Sequence, residues 1–428
     1  MKIIRLFFFI FLNIYLMPET SYSQSDTTIY ENENFDKKIH NTIIYKSNNQ
    51  LSYPIINLNS KDKLTILFDD FNKEIRDYEY TLIHCDRHWK SSGLMKAQYI
   101  EGFFTNPIVE YELSFNTIQE YTHYKLIFPE KNCKPKISGN YIIKIFLSNY
   151  PDSVILTKRF MILDEKLSLS SNVKQSRSIN YRKYKQEVDF IINHSSLPQL
   201  NPHSEIQVVV KQNNNEVNSI KNLHPLFIRD NELIYDYDEE NTFFGNNEFR
   251  YFDINSIRYQ SSRIKNINVD SSEINAYLYT DVSRSFDEFI TLPDINGNFL
   301  INKQESWNPN IEAEYVNVHF SLIENRPISY ADIYLIGRFS NWKISEDFKM
   351  SYDQENNVYK TSILLKQGYY NYMYALKHKT DNNVELSFIE GSHYETENDY
   401  YIYVYYKELG KTYDQLIGYM KTSSKSIF

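Results

Sequence analysis

The chain has 428 residues, of which 42% are hydrophobic and 16% aromatic, with 38 tyrosines and a formal net charge of −9. That length calls for two to four domains of about 100–200 residues each, and the apolar fraction excludes long disorder. The acidic balance excludes an electrostatic footprint for nucleic acid.

The first residues read as an export signal. Lys2 and Arg5 accompany the apolar run "LFFFIFLNIYLM" (6–17), which is too short for a comfortable membrane span. Ser21 and Ser23 then offer a cleavage site before Gln24, and no cysteine near it suggests a lipid anchor. An uncleaved N-terminal anchor is the competing reading. No other stretch approaches roughly 20 apolar residues. The mature chain is therefore expected outside the cytoplasm, without a transmembrane segment.

The first strong strand patterns are "LTILF" (64–68) and "YEYTLIHC" (78–85), rich in β-branched and aromatic residues. The second runs into "YTLIHCDRHWKSS", where chemistry-bearing side chains crowd together. His84 and Cys85 are neighbours on a predicted strand, so their side chains leave on opposite faces. They cannot readily share a zinc ion, which needs three or four converging ligands. A Cys–His nucleophile pair fails on the same geometry. His84 and His88 have the spacing of two ligands on one helix face, but no His-Glu-x-x-His pattern accompanies them. The stretch reads as a strand end with Cys85 in the core and Trp89 packed over the next turn. Metal binding and catalysis are the competing readings.

"YTHYKLIF" (121–128) and "YIIKIFL" (141–147) continue the pattern, with Cys133 between them. In an oxidising compartment Cys85 and Cys133 are able to pair. A loop of about 49 residues would then close, worth about 4 kcal/mol in the chain-entropy model. Whether the two come within bridging distance is left open.

"KLSLSSNVKQSRSIN" (166–180) is polar and strand-poor and reads as a linker. "EVDFIIN" (187–193), "EIQVVVK" (205–211) and "EINAYLY" (273–279) are further strands. With only 10 glycines in the chain, asparagine takes turn positions, as in "KQNNNEVN" (211–218), because it tolerates the left-handed region. In "NTFFGNNEFRYFDIN" (241–255), Gly245, Asn246 and Asn247 suggest a tight turn feeding a strand through Glu248, Phe249 and Arg250. Glu248 and Arg250 share a strand face, suited to a local ion pair or a contact with a partner, but the stretch reads first as a turn–strand corner with a buried polar network. One carboxylate beside an arginine is poor support for acid–base catalysis, which needs two poised groups. A hydrolase built on Glu248 and Asp253 is the weakest reading.

A second boundary is expected near "NKQESWNPNIEAE" (302–314), followed by "EYVNVHFSL" (314–322). In "IYLIGRFSNWKISEDFKM" (333–350) a strand ends at Gly337 and a loop carries Asn341 and Trp342; "KQGYYNYMYAL" (366–376) resumes a strand. This order resembles the early-set β-sandwich of glycogen-binding modules. An exposed Trp342 would stack on a sugar ring; a buried one would plug the corner. "DYYIYVYYK" (399–407) is the last strong strand.

No phosphate loop, Gly-x-Ser-x-Gly elbow or Cys-x-x-Cys pair appears, so no catalytic residue, metal or cofactor is expected. The predicted fold class is all-β, several Ig-like or early-set β-sandwich domains in tandem. The expected division is 1–23 signal peptide, 24–165 N-terminal β-sandwich, 166–310 middle β domain and 311–428 C-terminal early-set-like sandwich.

Read together, "YTLIHCDRHWKSSGLMKAQYIEGF", "SFNTIQEYTHYKLIFP", "ISGNYIIKIF", "FFGNNEFRYFDIN", "LPDINGNFLIN" and "EGSHYETENDYYIYVYY" resemble the type IX secretion system plug protein family of Bacteroidota. The likeness runs in the family's order over nearly the whole mature chain. It implies a non-enzymatic, periplasmic accessory subunit on the inner side of the outer membrane. Its partner would be the large outer-membrane β-barrel translocon (SprA type), whose periplasmic opening it would bind and seal. The resemblance names no contact residues. His84, Cys85, Trp89 and the run from Gly245 to Arg250 match its motifs as positions and read as fold-defining. The alternative expectation, carried by Trp342, is a carbohydrate-binding protein of the cell envelope.

Overall fold

A computed structural model describes residues 30–427 apart from 48, 198, 199 and 382. The expected export signal, 1–23, lies outside the described residues. Strands dominate, as the β-branched and aromatic runs require, and they form an all-β, multi-sandwich molecule.

The first sandwich pairs two sheets. One runs Glu33–Asn34, Tyr150–Leu163, Gly139–Leu147, Tyr78–Cys85, Asn106–Ile108, with Ile55–Asn57 added parallel to Tyr150–Leu163. The other runs Ile39–Lys46, Leu64–Asp70, Thr122–Phe128, Glu110–Leu113. Ile66, Phe68, Leu82, Leu126, Tyr141 and Phe160 fill the core between them.

The second sandwich joins the sheet Ser168–Gln175, Lys185–Asn193, Glu232–Tyr235, Phe227–Arg229 to the sheet Ser219–Leu223, Ile206–Gln212, Asp399–Tyr406, Gln415–Ser423. The third is built on the long strand Gly368–His378, flanked by Arg250–Asp253, Phe299–Ile301, Ala331–Ile336 and Val384–Glu385. Opposite it lies the sheet Ile264–Val269, Ile274–Leu278, Tyr315–Ile323, Val358–Lys366, Ser351–Asp353.

Two expectations are corrected here. Consecutive blocks 166–310 and 311–428 do not describe the sheets, because Asp399–Tyr406 returns to pair with Ile206–Gln212, from Ile206 opposite Tyr406 to Gln212 opposite Tyr400. The third sandwich is thus inserted into the second. The physical reason is that the buried strand Ile206–Gln212 needs a partner on each side, and its local sequence supplies only Ser219–Leu223. The expected linker is also a strand: Ser168–Gln175 pairs with Lys185–Asn193 along its length. It reads as polar because it sits at a sheet edge with alternate positions exposed.

The first sandwich is covered on both outer faces. Ile43, Tyr45 and Leu67 leave its second sheet and join the core of the third sandwich. Cys85, Trp89, Ile142 and Met161 leave its first sheet and meet Tyr401, Tyr403, Tyr405 and Leu416 of the second sandwich. This double coverage explains the strands that read as unbroken apolar runs rather than alternating ones. Leu64–Asp70 is buried at all seven positions.

It also explains the tyrosines. At these joints a ring packs while its hydroxyl finds a partner. Tyr403 donates to Asn214 Oδ1 at 2.7 Å, Tyr405 to Asn140 Oδ1 at 3.0 Å and Tyr53 to the Asn213 carbonyl at 3.1 Å.

Candidate functional site

The densest sequence motif is a joint. His84 and Cys85 leave opposite faces of Tyr78–Cys85, as adjacent strand residues must. His84 is buried with its edge to Tyr141, ring centroids 5.0 Å apart, and Nε2 lies 3.3 Å from the Ser138 carbonyl. Burial pushes its pKa down to about 4, and pushes the Cys85 thiol up to about 12. A thiol so protonated is a poor nucleophile. Beyond it, Asp86 Oδ1 accepts the N–H groups of His88 and Lys90 at 2.9 and 2.8 Å and closes the turn. Trp89 folds inward beneath the Arg159 guanidinium, 4.6 Å from its ring centroid.

The disulfide left open in the sequence is not formed: Cys85 and Cys133 are both buried free thiols. Cys133 packs inside the first sandwich while Cys85 packs in the joint on the sheet's outer face, so the sheet itself separates them.

Gly245 to Arg250 is the strip by which the chain crosses from the second sandwich into the third. Gly245 lies so close to the returning segment that a Cβ would collide with the His393 carbonyl. Asn246 takes a left-handed φ of 53° and accepts the His393 N–H at 2.8 Å. Asn247 Nδ2 donates to the Glu390 carbonyl at 2.9 Å. The Phe249 N–H donates to Asp294 Oδ2 at 2.5 Å, and its ring meets Trp342 edge-on at 5.9 Å.

Glu248 and Arg250 do not pair with each other; both enter the buried polar network of a turn–strand corner. Arg250 donates to Glu390 at 3.0–3.1 Å and to Asp281 at 2.8 Å. Glu248 instead turns to the Glu397 N–H at 3.1 Å and to Asp294. Burial and the neighbouring Asp294 raise its pKa, and burial raises that of Asp294. This carboxyl pair straddles the joint between the host and the inserted sandwich.

Trp342 is 8% exposed and packs with Phe249, Ile336 and Met373. Its ring is part of a corner plug, as the burial habit of tryptophan suggests, rather than the sugar platform of the alternative reading. Among the described residues one carboxylate trio, Glu187, Asp189 and Asp236, has metal-like spacing. Arg177 already bridges Glu187 and Asp236 at 2.6 Å each, with Lys174 3.3 Å from Glu187.

Among the exposed apolar surfaces of the described residues, one lies on an edge of the first sandwich. Glu110–Leu113 pairs on one side with Thr122–Phe128 and is exposed at every position. Val109 (71%), Leu113 (59%) and Phe115 (67%) are exposed on this strand or beside its ends, and Phe103 (65%) is exposed in the segment before Asn106–Ile108. Their backbone is fixed. Asn106 Nδ2 donates to the Phe103 carbonyl at 3.0 Å, Thr81 Oγ1 to the Phe104 carbonyl at 2.6 Å, and the Phe115 N–H to the Ile311 carbonyl at 2.8 Å. Gly102, at φ 100°, lets the preceding ribbon pass against Asn132. Exposed apolar side chains on a fixed backbone make this a candidate surface for protein contact. Sequence reasoning missed it, because "GFFTNPIV" has the composition of a buried strand.

Residues 39–164, which contain this edge, match the family described as type 9 secretion system plug protein 1st domain. A hypothetical protein from Parabacteroides merdae ATCC 43184, known from a crystal structure, is 30% identical to the chain. The match covers 92% of this chain and 99% of that one, with a TM-score of 0.89. The DNA-bound alkylpurine DNA glycosylase AlkC of Pseudomonas fluorescens is 9% identical over 29% of this chain and 30% of its own, with a TM-score of 0.17. Trypsin-activated alpha-2-macroglobulin of Escherichia coli is 8% identical over 90% of this chain and 28% of its own, with a TM-score of 0.18. Neither of these two carries an argument about fold. No curated protein matches the chain.

Proposed function

The chain belongs to the type 9 secretion system plug protein family, and from that premise we propose that it is a non-enzymatic, periplasmic subunit. It binds the periplasmic opening of the outer-membrane translocon barrel (SprA type) and seals it. The observation that carries this reading is the family match over the very sandwich whose apolar edge is exposed. The physics supports it. A stopper needs a rigid body and complementary area, about 1,600 Å² in total for a standard stable interface, and no chemistry. Three sandwiches joined through shared cores supply the rigid body, and the edge around Glu110–Leu113 supplies a patch for the contact.

The test is co-purification. An affinity tag at the C-terminus, mild detergent and mass spectrometry should recover a very large outer-membrane barrel. The deletion strain should become leaky to large antibiotics. Recovery without any barrel, together with an unchanged permeability barrier, would sink the proposal.

A further inference from the structure

Where the three sandwiches meet, the chain lines a partly open cavity of about 380 Å³. One wall is the strand Tyr150–Leu163. Glu33–Asn34 covers the outer edge of that strand at Leu156 and Thr157, and Ile55–Asn57 covers it from Met161 to Leu163. Positions 158–160 lie in the gap, and there the Arg159 N–H is held by Asn32 Oδ1 at 2.7 Å.

Lys158 lines the cavity at this gap and is 1% exposed. Its partner among the described residues is a neutral one, Asn341 Oδ1 at 3.2 Å. An ammonium has three donors, so two are left without an acceptor. A buried charge in that condition is costly unless something pairs with it.

The surroundings do not supply the missing anion. Lys343 holds Glu31 and Glu33 at 2.8 and 2.5 Å. Arg338 is satisfied by the carbonyls of Ile44, Gln50 and Ser52 at 2.9, 2.7 and 3.2 Å, none of them charged. Lys211, Arg159 and Lys221 share one carboxylate, Glu216, at 2.5, 3.5 and 3.6 Å. Six cationic side chains thus face three carboxylates. Burial, followed by Lys343 and Arg338 and only partly offset by Glu33, pushes the pKa of Lys158 down to about 7, a shift that a bound anion would reverse.

We propose that this cavity is a binding site for one small oxyanion, a carboxylate or a phosphate, seated on the Lys158 ammonium. The aromatic walls, Trp89, Trp342 and Tyr403, leave apolar room beside the charge for a short carbon body. Because strands of all three sandwiches line the site, the occupant would bind only the assembled body and so stabilise it. The inference does not depend on what the exterior of the protein docks against.

The experiment is thermal unfolding of the full chain at neutral pH and constant ionic strength, with sodium chloride replaced stepwise by sodium phosphate or sodium acetate. The wild type is expected to gain several degrees in a saturable way. Lys158→Met and Lys158→Gln are expected to melt at or above the wild-type midpoint in chloride and to lose the anion-dependent gain. A gain with acetate alone assigns the site to carboxylates, and a gain with phosphate alone assigns it to phosphates. No saturable gain in the wild type, or the same gain in both variants, overturns the proposal. Should neither variant fold, calorimetric titration of the wild type decides: binding of one anion per chain supports the site, and no binding overturns it.

Discussion

Two strands of one sheet, separated by a single neighbour, have opposite fates. Leu64–Asp70 is buried at all seven positions, one face in its own core and the other in the joint with the third sandwich. Glu110–Leu113 is exposed at all four. The contrast teaches where the molecule places its apolar surface. The sheet's centre unites the sandwiches into one body, and its rim keeps its side chains exposed. Cohesion and contact are therefore separable, and substitutions should divide cleanly between them.

The largest expected effect lies at the end of the buried strand. Asp69 accepts from His123 Nδ1 and Lys366 Nζ, both at 2.6 Å, and from the Tyr315 hydroxyl at 2.5 Å. Burial would raise its pKa, but Lys366 and His123 outweigh burial and hold it below the ordinary value. Asp69→Ala strands the Lys366 ammonium and should cost about 3–5 kcal/mol in urea unfolding. A loss within ~0.5 kcal/mol would show that the joint contributes nothing to cohesion. Next, Leu67→Ala empties the outward face of the same strand and should cost about 2–4 kcal/mol by the same measurement.

The third test concerns pH. Glu248 has its folded pKa raised above its ordinary 4.5. Its contribution is therefore fully present below that value and is lost as pH rises through the folded pKa. Glu248→Gln keeps the neutral shape, so at about pH 8 it should be more stable than the wild type by about 1–2 kcal/mol, and at about pH 5 nearly equal to it. Denaturant midpoints at the two pH values check this; equal differences at both would refute it.

The smallest stability effect belongs to the rim. Val109→Ser with Leu113→Ser should change stability by no more than ~0.5 kcal/mol, while the recovery of the barrel partner falls. If recovery is unchanged, contact is made elsewhere on the surface.

Much of this architecture was legible in the sequence. Strand identity follows from local composition, and the opposite faces of His84 and Cys85 follow from strand geometry alone. Sheet membership does not. Nothing around Asp399–Tyr406 says that its partner is Ile206–Gln212, because an alternating tyrosine strand suits many neighbours. Burial of charge was equally hidden. "TKRF" (157–160) looks like a solvated turn of strand, and only the meeting of three sandwiches turns Lys158 inward. Trp342 was ambiguous by nature, since one side chain serves both corner plugs and sugar platforms. Phe249 and Ile336, brought in from distant positions, decide it.

The inserted arrangement also sets an order of events in folding. Gln212 and Tyr400, paired in one sheet, are 188 residues apart in the chain, and closing so long a loop through a disordered intervening chain is slow. The inserted sandwich removes that obstacle. Its two connections run side by side, with Asn398 Nδ2 donating to the Gly245 carbonyl at 2.8 Å. Once the insert has folded, the search for the last strand shrinks from a long loop to a few residues. The insert thus acts as a template that delivers Asp399–Tyr406 to the waiting edge of Ile206–Gln212, shortening the interval in which that edge is open to aggregation.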